Sequence, residues 1–222
     1  MKNKSFLLIF KEELCYNIYI VVGICFVDCD NTIKRYWLMK INAGKWRGRP
    51  IRSVEGLSTR PTPDIVKQAV FNIIRDRTEG IQFCDLFAGT GNMAFEALSR
   101  GADHVTLVEN GRAAIEIIKQ NAEYLGCTAD MTLVRNDVFT AVKIISGKQF
   151  DVIFMDPPYN LGLEEKTLNA IAQNNLIKKD GIVIVQFEAK NTVKNDIPDC
   201  FEIIDERRYG RSALLFLKLI SD

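Results

Sequence analysis

The sequence predicts an α/β protein built on a doubly wound, largely parallel sheet that ends in an antiparallel hairpin. Three observations carry this. Apolar runs of strand length alternate with segments of helical periodicity from residue 81 onward. A glycine-rich turn follows the first of these runs, at Gly89 and Gly91. The last two apolar runs flank Tyr209-Gly210-Arg211 with no helix between them. At 222 residues the chain has room for one such domain with a small appendage.

From Lys40 to Val54, short extended segments around Gly44, Gly48 and Pro50 predict a basic hairpin or arm. Thr62-Pro63-Asp64 then opens a helix: Thr62 is a suitable N-cap, Pro63 fits the first helical position, and Asp64 complements the positive helix end. Val66, Val70, Phe71 and Ile74 give this helix its apolar stripe, and it is expected to end near Arg77. Next come a strand over Ile81–Phe87, a helix over Asn92–Ser99, a strand over His104–Glu109 and a helix over Arg112–Leu125. The alternation continues with a strand over Met131–Arg135, a helix over Phe139–Ile145, a strand over Asp151–Met155, a helix over Leu163–Asn174 and a strand over Gly181–Phe187. Phe201–Arg207 and Ala213–Leu219 close the chain as the hairpin, making a seven-stranded sheet. Right-handed crossovers place any ligand at the carboxyl ends of the strands, where the strand order reverses.

Composition narrows the classes. With 47% hydrophobic and 26% charged residues the chain has the make-up of a packed domain, which rules out a disordered or collagen-like protein. The net charge of +1 excludes a uniformly basic nucleic-acid binder, yet the charge is uneven. Lys40, Lys45, Arg47, Arg49, Arg52 and Arg60 face only Glu55 within their window, while the rest of the chain has more acids than bases. Such a local patch is the electrostatic footprint of a phosphate-backbone contact. The six cysteines (Cys15, Cys25, Cys29, Cys84, Cys127, Cys200) contain no CxxC pair, and His104 is the only histidine, so a metal site is not expected and the thiols read as reduced. One histidine also weakens any His-dependent triad.

Residues 1–38 look foreign to this plan. Their longest uninterrupted apolar run, Ile18–Val27, has ten residues, too short for the ~18 that a spanning helix needs, and Lys11, Glu12 and Glu13 interrupt a signal-peptide pattern. Residues 1–38 are therefore expected to be a leader outside the natural protein, with Met39 the natural start, 39–60 the basic arm and 61–222 the catalytic domain.

Two motifs carry the chemistry. Asp85-Leu86-Phe87-Ala88-Gly89-Thr90-Gly91 joins a strand to a helix, and Ala94 completes a G-x-G-x-x-A pattern in which small residues let the backbone approach a nucleotide cofactor. Glu109 stands at the end of the next strand, where a carboxylate can accept from both ribose hydroxyls. To this point NAD and S-adenosylmethionine fit equally well. Asp156-Pro157-Pro158-Tyr159, at the end of the fourth strand and in the same crevice, breaks the tie. The two prolines lock an extended turn that aims the Asp156 carboxylate and backbone carbonyls into the pocket, and Tyr159 offers a flat face for an extruded base.

These two motifs together resemble the S-adenosylmethionine-dependent methyltransferases of class I, with a Rossmann-like sheet, that methylate exocyclic amines. The flanking segments Ala43-Gly44-Lys45-Trp46-Arg47-Gly48-Arg49-Pro50, Arg60-Pro61-Thr62, Phe71-Asn72 and Glu96-Ala97-Leu98-Ser99-Arg100-Gly101-Ala102 are similar to those of the bacterial RsmD family of 16S rRNA (guanine-N2) methyltransferases, in order from Met39 to Leu219. The resemblance implies methylation of the guanine that the family name numbers 966, on 16S rRNA within an assembling 30S particle, by a cytoplasmic monomer without metal, with S-adenosylhomocysteine as co-product. It implies that Arg60, Thr62, Asp85, Phe87, Gly89, Gly91, Glu109, Asn136 and Asp137 hold the cofactor, with Asp137 at the adenine amine, although Asp137 also suits a helix N-cap. Asp156, Pro157 and Tyr159 are the expected catalytic residues. Lys45, Trp46, Arg47, Arg49 and Arg52 are the expected RNA contacts, with Trp46 either stacking on a nucleotide or anchoring the arm in the core. An adenine-N6 methyltransferase shares Asp-Pro-Pro-Tyr but would need a separate target-recognition domain; a glutamine methyltransferase usually has Asn where Asp156 stands; a non-catalytic RNA binder leaves the glycine-rich loop unexplained.

Overall fold

A computed structural model describes residues 25–27, 33–54, 64–158, 161–191 and 197–220. Most of the expected leader, together with Arg60, Thr62 and Tyr159, lies outside the described residues. The chain opens with a small antiparallel sheet of β1 (Cys25–Val27), β2 (Ile33–Lys40) and β3 (Pro50–Val54) in that order. Strand β2 runs unbroken across Met39, which pairs with Ile51 of β3. The basic hairpin expected over Lys40–Val54 is present as the turn between β2 and β3 together with β3 itself.

The main domain follows as α1 (Asp64–Ile73), β4 (Gln82–Asp85), α2 (Asn92–Ser99), β5 (His104–Val108), α3 (Arg112–Leu125), β6 (Met131–Val134), α4 (Val138–Ile144), β7 (Phe150–Met155), α5 (Leu163–Gln173), β8 (Ile177–Glu188), β9 (Phe201–Tyr209) and β10 (Ser212–Leu219). Its seven strands lie in the order β6-β5-β4-β7-β8-β10-β9, parallel from β6 through β8 and antiparallel where β10 meets both β8 and β9. The expected architecture is thus the observed one. Strand order reverses at β4, which lies between β5 and β7, so the carboxyl ends of β4 and β7 form the crevice in which open α/β sheets bind ligands.

Alternate residues of each strand face opposite ways, giving two apolar layers. Phe83, Val105, Leu107, Val152, Phe154, Ile182, Ile184, Leu214 and Phe216 pack beneath α1, α2 and α3. Cys84, Val108, Ile153, Met155, Val183, Val185 and Leu215 pack against α4 and α5. The element boundaries differ from expectation mainly in β8, which starts at Ile177 rather than Gly181. The reason is a register shift: Phe150 pairs with Ile177 but Val152 pairs with Ile182, so polar residues 178–180 belong to the strand without joining an apolar face. Helix α1 stops at Ile73 and passes into a single tighter turn over Arg75–Arg77. Among the described residues, no helix is long and apolar enough to cross a membrane.

Candidate active site

The glycine-rich loop continues the parallel ladders past the strand ends, with Leu86 N–H donating to the Phe154 carbonyl and Ala88 N–H to that of Val108, both at 3.0 Å. Gly89 and Gly91 have φ of +53° and +85°, in the left-handed region where glycine carries no steric cost. Their surroundings differ. A Cβ on Gly91 would lie 2.5 Å from the Phe95 ring, so this glycine lets α2 start tight against its own first turn. A Cβ on Gly89 would meet nothing within 4 Å, so the backbone there borders open space that a ligand can approach.

Glu109 ties the loop to the next crossover. Its Oε2 accepts from Gly89 N–H at 2.8 Å, and its Oε1 accepts from Asn110 and Gly111 N–H at 3.0 and 2.7 Å. A carboxylate offers about four acceptor positions, so its fixed orientation leaves room for a hydroxyl donor. Asp85 ends β4 with 2% exposure, and its Oδ1 has no hydrogen-bond partner. Burial pushes this carboxyl up to about 8; a hydrogen bond from the Phe87 backbone opposes the rise, and the charges of Asp156 and Glu109 add to it. Phe87 is half-buried against the α4/α5 layer. Asp156 follows β7, and loss of water around its carboxyl raises it to about 7. Pro157 is buried and Pro158 exposed.

Asp85 ends β4 two residues after Phe83 and so takes the α1–α3 side, while Glu109 and Asp156 follow the ends of β5 and β7, near enough to Asp85 for their charges to act on it. Gln186 joins them from β8, two residues after Ile184. It is 2% exposed and its Oε1 has no hydrogen-bond partner. The sequence reading missed it, although a lone amide inside the apolar run Ile182–Phe187 is a visible signal. Buried acceptors without donors, on β4 and β8 to either side of β7, fit a ligand rich in N–H groups. Open space at Gly89 and the orphaned Asp85 oxygen fit a nucleoside cofactor carrying an ammonium group.

Asp137 caps α4, its Oδ1 accepting from Phe139 and Thr140 N–H at 3.0 Å each. A hydrogen bond from the Thr140 side chain, together with those from the Thr140 and Phe139 backbone, holds its carboxyl below the usual aspartate range. Asn136 beside it is half-buried.

The basic turn is bolted to α2. Glu96, fully buried, accepts from Asn42 N–H at 2.8 Å, Ala43 N–H at 3.0 Å and Arg100 Nε at 2.7 Å, and pairs with the equally buried Lys67 at 3.3 Å. Lys67 Nζ also donates to the Lys40 carbonyl and to Asn92 Oδ1, at 2.6 and 2.9 Å. Gly44 passes so close to the end of α2 that a Cβ there would overlap the Ser99 carbonyl oxygen, and Lys45 N–H donates to that oxygen at 2.7 Å. Motif reading did not find this network, because it joins residues from three distant segments. Lys45, Arg47 and Arg49 remain exposed. Arg52 is half-buried, with Nη1 donating to Gln120 Oε1 at 2.8 Å. Of the two expectations for Trp46 the structure has the core anchor: only 8% exposed, it is packed with Ile41 and Ile51 in the core, and Lys45 Nζ lies 4.5 Å from its ring centroid. Its ring anchors the turn and is not free to stack on a nucleotide.

A seven-stranded doubly wound sheet with a glycine-rich loop after its first parallel strand and Asp-Pro-Pro after its fourth defines a Rossmann-like class I methyltransferase. The chain belongs to the family described as Conserved hypothetical protein 95, which matches residues 39–218, and the resemblance to the RsmD family thereby holds. It is 33% identical to Ribosomal RNA small subunit methyltransferase D of Haemophilus influenzae, over 78% of this chain and 89% of that protein. The Escherichia coli K12 protein of the same name is 32% identical over 79% and 87%. The solved structure of Escherichia coli yhhF superposes with a TM-score of 0.73 at 29% identity, covering 84% of this chain and all of the other.

Proposed function

We propose that this protein transfers a methyl group from S-adenosylmethionine to the exocyclic N2 amine of a guanine in 16S rRNA, the guanine numbered 966 in the family name, within the small ribosomal subunit or an assembly intermediate. What supports this is the Asp156 carboxyl, which follows β7 in an Asp-Pro-Pro turn and lies near enough to Asp85, at the end of β4, for its charge to act there. The names of the Haemophilus and Escherichia relatives support a ribosomal RNA substrate. In this reading the enzyme acts as a monomer in the cytoplasm and needs no metal.

Residues in the loop divide the work of binding. Asp85 receives the ammonium of the cofactor, Gly89 and Gly91 border its methionine arm, Phe87 lies beneath, and Glu109 accepts from the ribose. Asn136 and the Asp137 oxygen not used in capping reach the adenine, while Arg60 and Thr62 close over the carboxylate. When bound, the cofactor supplies a methyl group on a positively charged sulfur. The guanine amine attacks such a group poorly, because its lone pair is delocalised into the ring. Asp156 and the Pro157 carbonyl accept the two amine hydrogens and draw the nitrogen toward tetrahedral geometry, with Tyr159 supporting the base. Held within ~3–3.5 Å of the methyl carbon, the nitrogen gains much of its rate from position alone. The nitrogen gives up one proton as it gains the methyl group, and an acid near 7 can take that proton and pass it to water at the same pH. Exposed Lys45, Arg47 and Arg49, with the half-buried Arg52, contact the phosphate backbone.

The test is methyl transfer from labelled S-adenosylmethionine to small-subunit particles from cells lacking the gene, followed by nucleoside analysis. Label in 2-methylguanosine is expected. Label in N6-methyladenosine would overturn the base assignment, and cofactor binding with no label in RNA would overturn the substrate.

A further inference from the structure

The sheet carries its orphaned acceptors on more than the cofactor side. Glycine loop and Glu109 belong to β4 and β5, whereas Gln186 lies on β8, on the far side of Asp156. Met155 pairs with Val185 as the last step of the β7–β8 ladder, and Asp156 and Gln186 are the residues that follow next in the two segments. Neighbouring strands are about 4.8 Å apart, and the Gln side chain, one methylene longer than Asp, spans that gap easily. Gln186 is nine-tenths and more buried, yet its amide oxygen has no hydrogen-bond partner among the described residues. A buried carbonyl oxygen without a donor is destabilising, and native interiors keep few of them. By strand order it lies across β7 from the glycine loop and Glu109, on the side that the cofactor residues leave to whatever accepts the methyl group.

We infer that Gln186 selects the base: its side-chain oxygen accepts the ring N1–H of a guanine whose N2 amine is held by Asp156. This rests on the reading of Asp156 as the amine acceptor. Base chemistry supplies the discrimination. Guanine presents two donors side by side on its pairing edge, the amine and N1–H. Adenine and cytosine present their amine beside an unprotonated ring nitrogen, which is an acceptor and repels a carbonyl oxygen. An aspartate next to an amide oxygen is therefore a matched pair for guanine alone among the amine-bearing bases. A site built to hydrogen-bond a substrate N–H rejects an analogue lacking it far more strongly than an apolar pocket rejects a change of size, because its own polar atom is then left buried and unpaired.

The experiment compares guanine with 2-aminopurine, which keeps the N2 amine but has no N1–H, placed at the target position of small-subunit rRNA by ligation of synthetic segments. The wild-type enzyme is expected to favour guanine in kcat/KM by about tenfold to a hundredfold. Gln186→Met, which keeps the volume and removes the acceptor, is expected to lower the guanine rate by a similar factor and bring the two substrates close to parity. Gln186→Glu keeps an acceptor at the position and is expected to keep the preference. Cofactor affinity at the wild-type value shows that each variant is folded and that the change belongs to base recognition. Wild-type enzyme that treats both bases alike, or a Met variant whose guanine preference is unchanged, overturns the inference while leaving guanine methylation standing. Absence of any transfer to guanine by the wild-type enzyme would instead sink the proposed function, and this inference with it.

Discussion

Replacing Glu96 by Gln tests how the basic turn is held to the catalytic domain. Glu96 and Lys67 are both fully buried, 3.3 Å apart, and Glu96 also satisfies the Asn42 and Ala43 amides and Arg100. Taking away one member of a buried pair leaves an uncompensated charge and costs about 3–5 kcal/mol. Lys67 keeps the Lys40 carbonyl, Asn92 and a looser pairing with Asp64 at 3.7 Å, which puts the expected loss near the middle of that range, about 4 kcal/mol. For a chain of this size each kcal/mol moves Tm by about 2–4 °C, so a drop of roughly 10 °C is expected. Burial already holds the Lys67 ammonium below the ordinary lysine value, with Glu96 the strongest group opposing it. Without Glu96 the folded value falls further, the unfolded chain binds more protons than the folded one, and the loss shrinks as pH rises toward the lysine range. Lys67→Met in the Glu96→Gln background removes the stranded charge, so the double variant should be at least ~1 kcal/mol more stable than the sum of the singles requires, and should lose the pH slope. Urea unfolding of the four proteins at pH 7 and 9 measures all of this. A single-variant cost below about 1 kcal/mol, or strict additivity, would refute the assignment of Glu96–Lys67 as the anchor.

Four further outcomes are expected. Asp85 and Asp156 titrate near 8 and 7 in the folded protein, above their unfolded values, so stability without cofactor should fall as pH rises from about 4 to about 8, and Asp85→Asn should flatten the upper part of that slope in thermal melts. Methyl transfer, which needs Asp156 ionised, should fall as pH drops below about 7, and Asp156→Ala should abolish it while cofactor binding persists. The two loop glycines should separate: Gly91→Ala, with its Cβ 2.5 Å from Phe95, should destabilise the fold by about 2 kcal/mol or more, whereas Gly89→Ala, which meets no protein atom, should cost about 1–2 kcal/mol of backbone strain yet lower cofactor affinity more than tenfold. Thermal shifts with and without S-adenosylmethionine distinguish them. Replacing Lys45, Arg47 and Arg49 together by Ala should reduce the salt dependence of RNA binding by about 0.7–0.9 per lost phosphate contact, while Trp46→Ala should act on folding, at about 3–5 kcal/mol, because its ring is in the core.

By itself the sequence determined the elements and the two chemical turns. The period-two and helical patterns are local, and so are the signals at Gly89, Gly91 and Asp156-Pro157-Pro158, since each depends on the φ range or the rigidity of its own residue. The doubly wound plan followed because right-handed crossovers leave few alternatives. Long-range packing decided the rest. Whether Trp46 met solvent or core depended on Ile41, Ile51 and the end of α2, up to 53 residues away along the chain. The early start of β8 required Phe150 to pair with Ile177 before the register shifted. Glu96 and Lys67 read as ordinary helix charges until α1, α2 and the basic turn closed over them. Gln186 was one polar residue in an apolar run until the sheet buried it on β8, beside β7, with its amide oxygen unpartnered among the described residues. Partners and burial of a side chain are properties of the segments that meet it, and those meetings exist only in the folded chain.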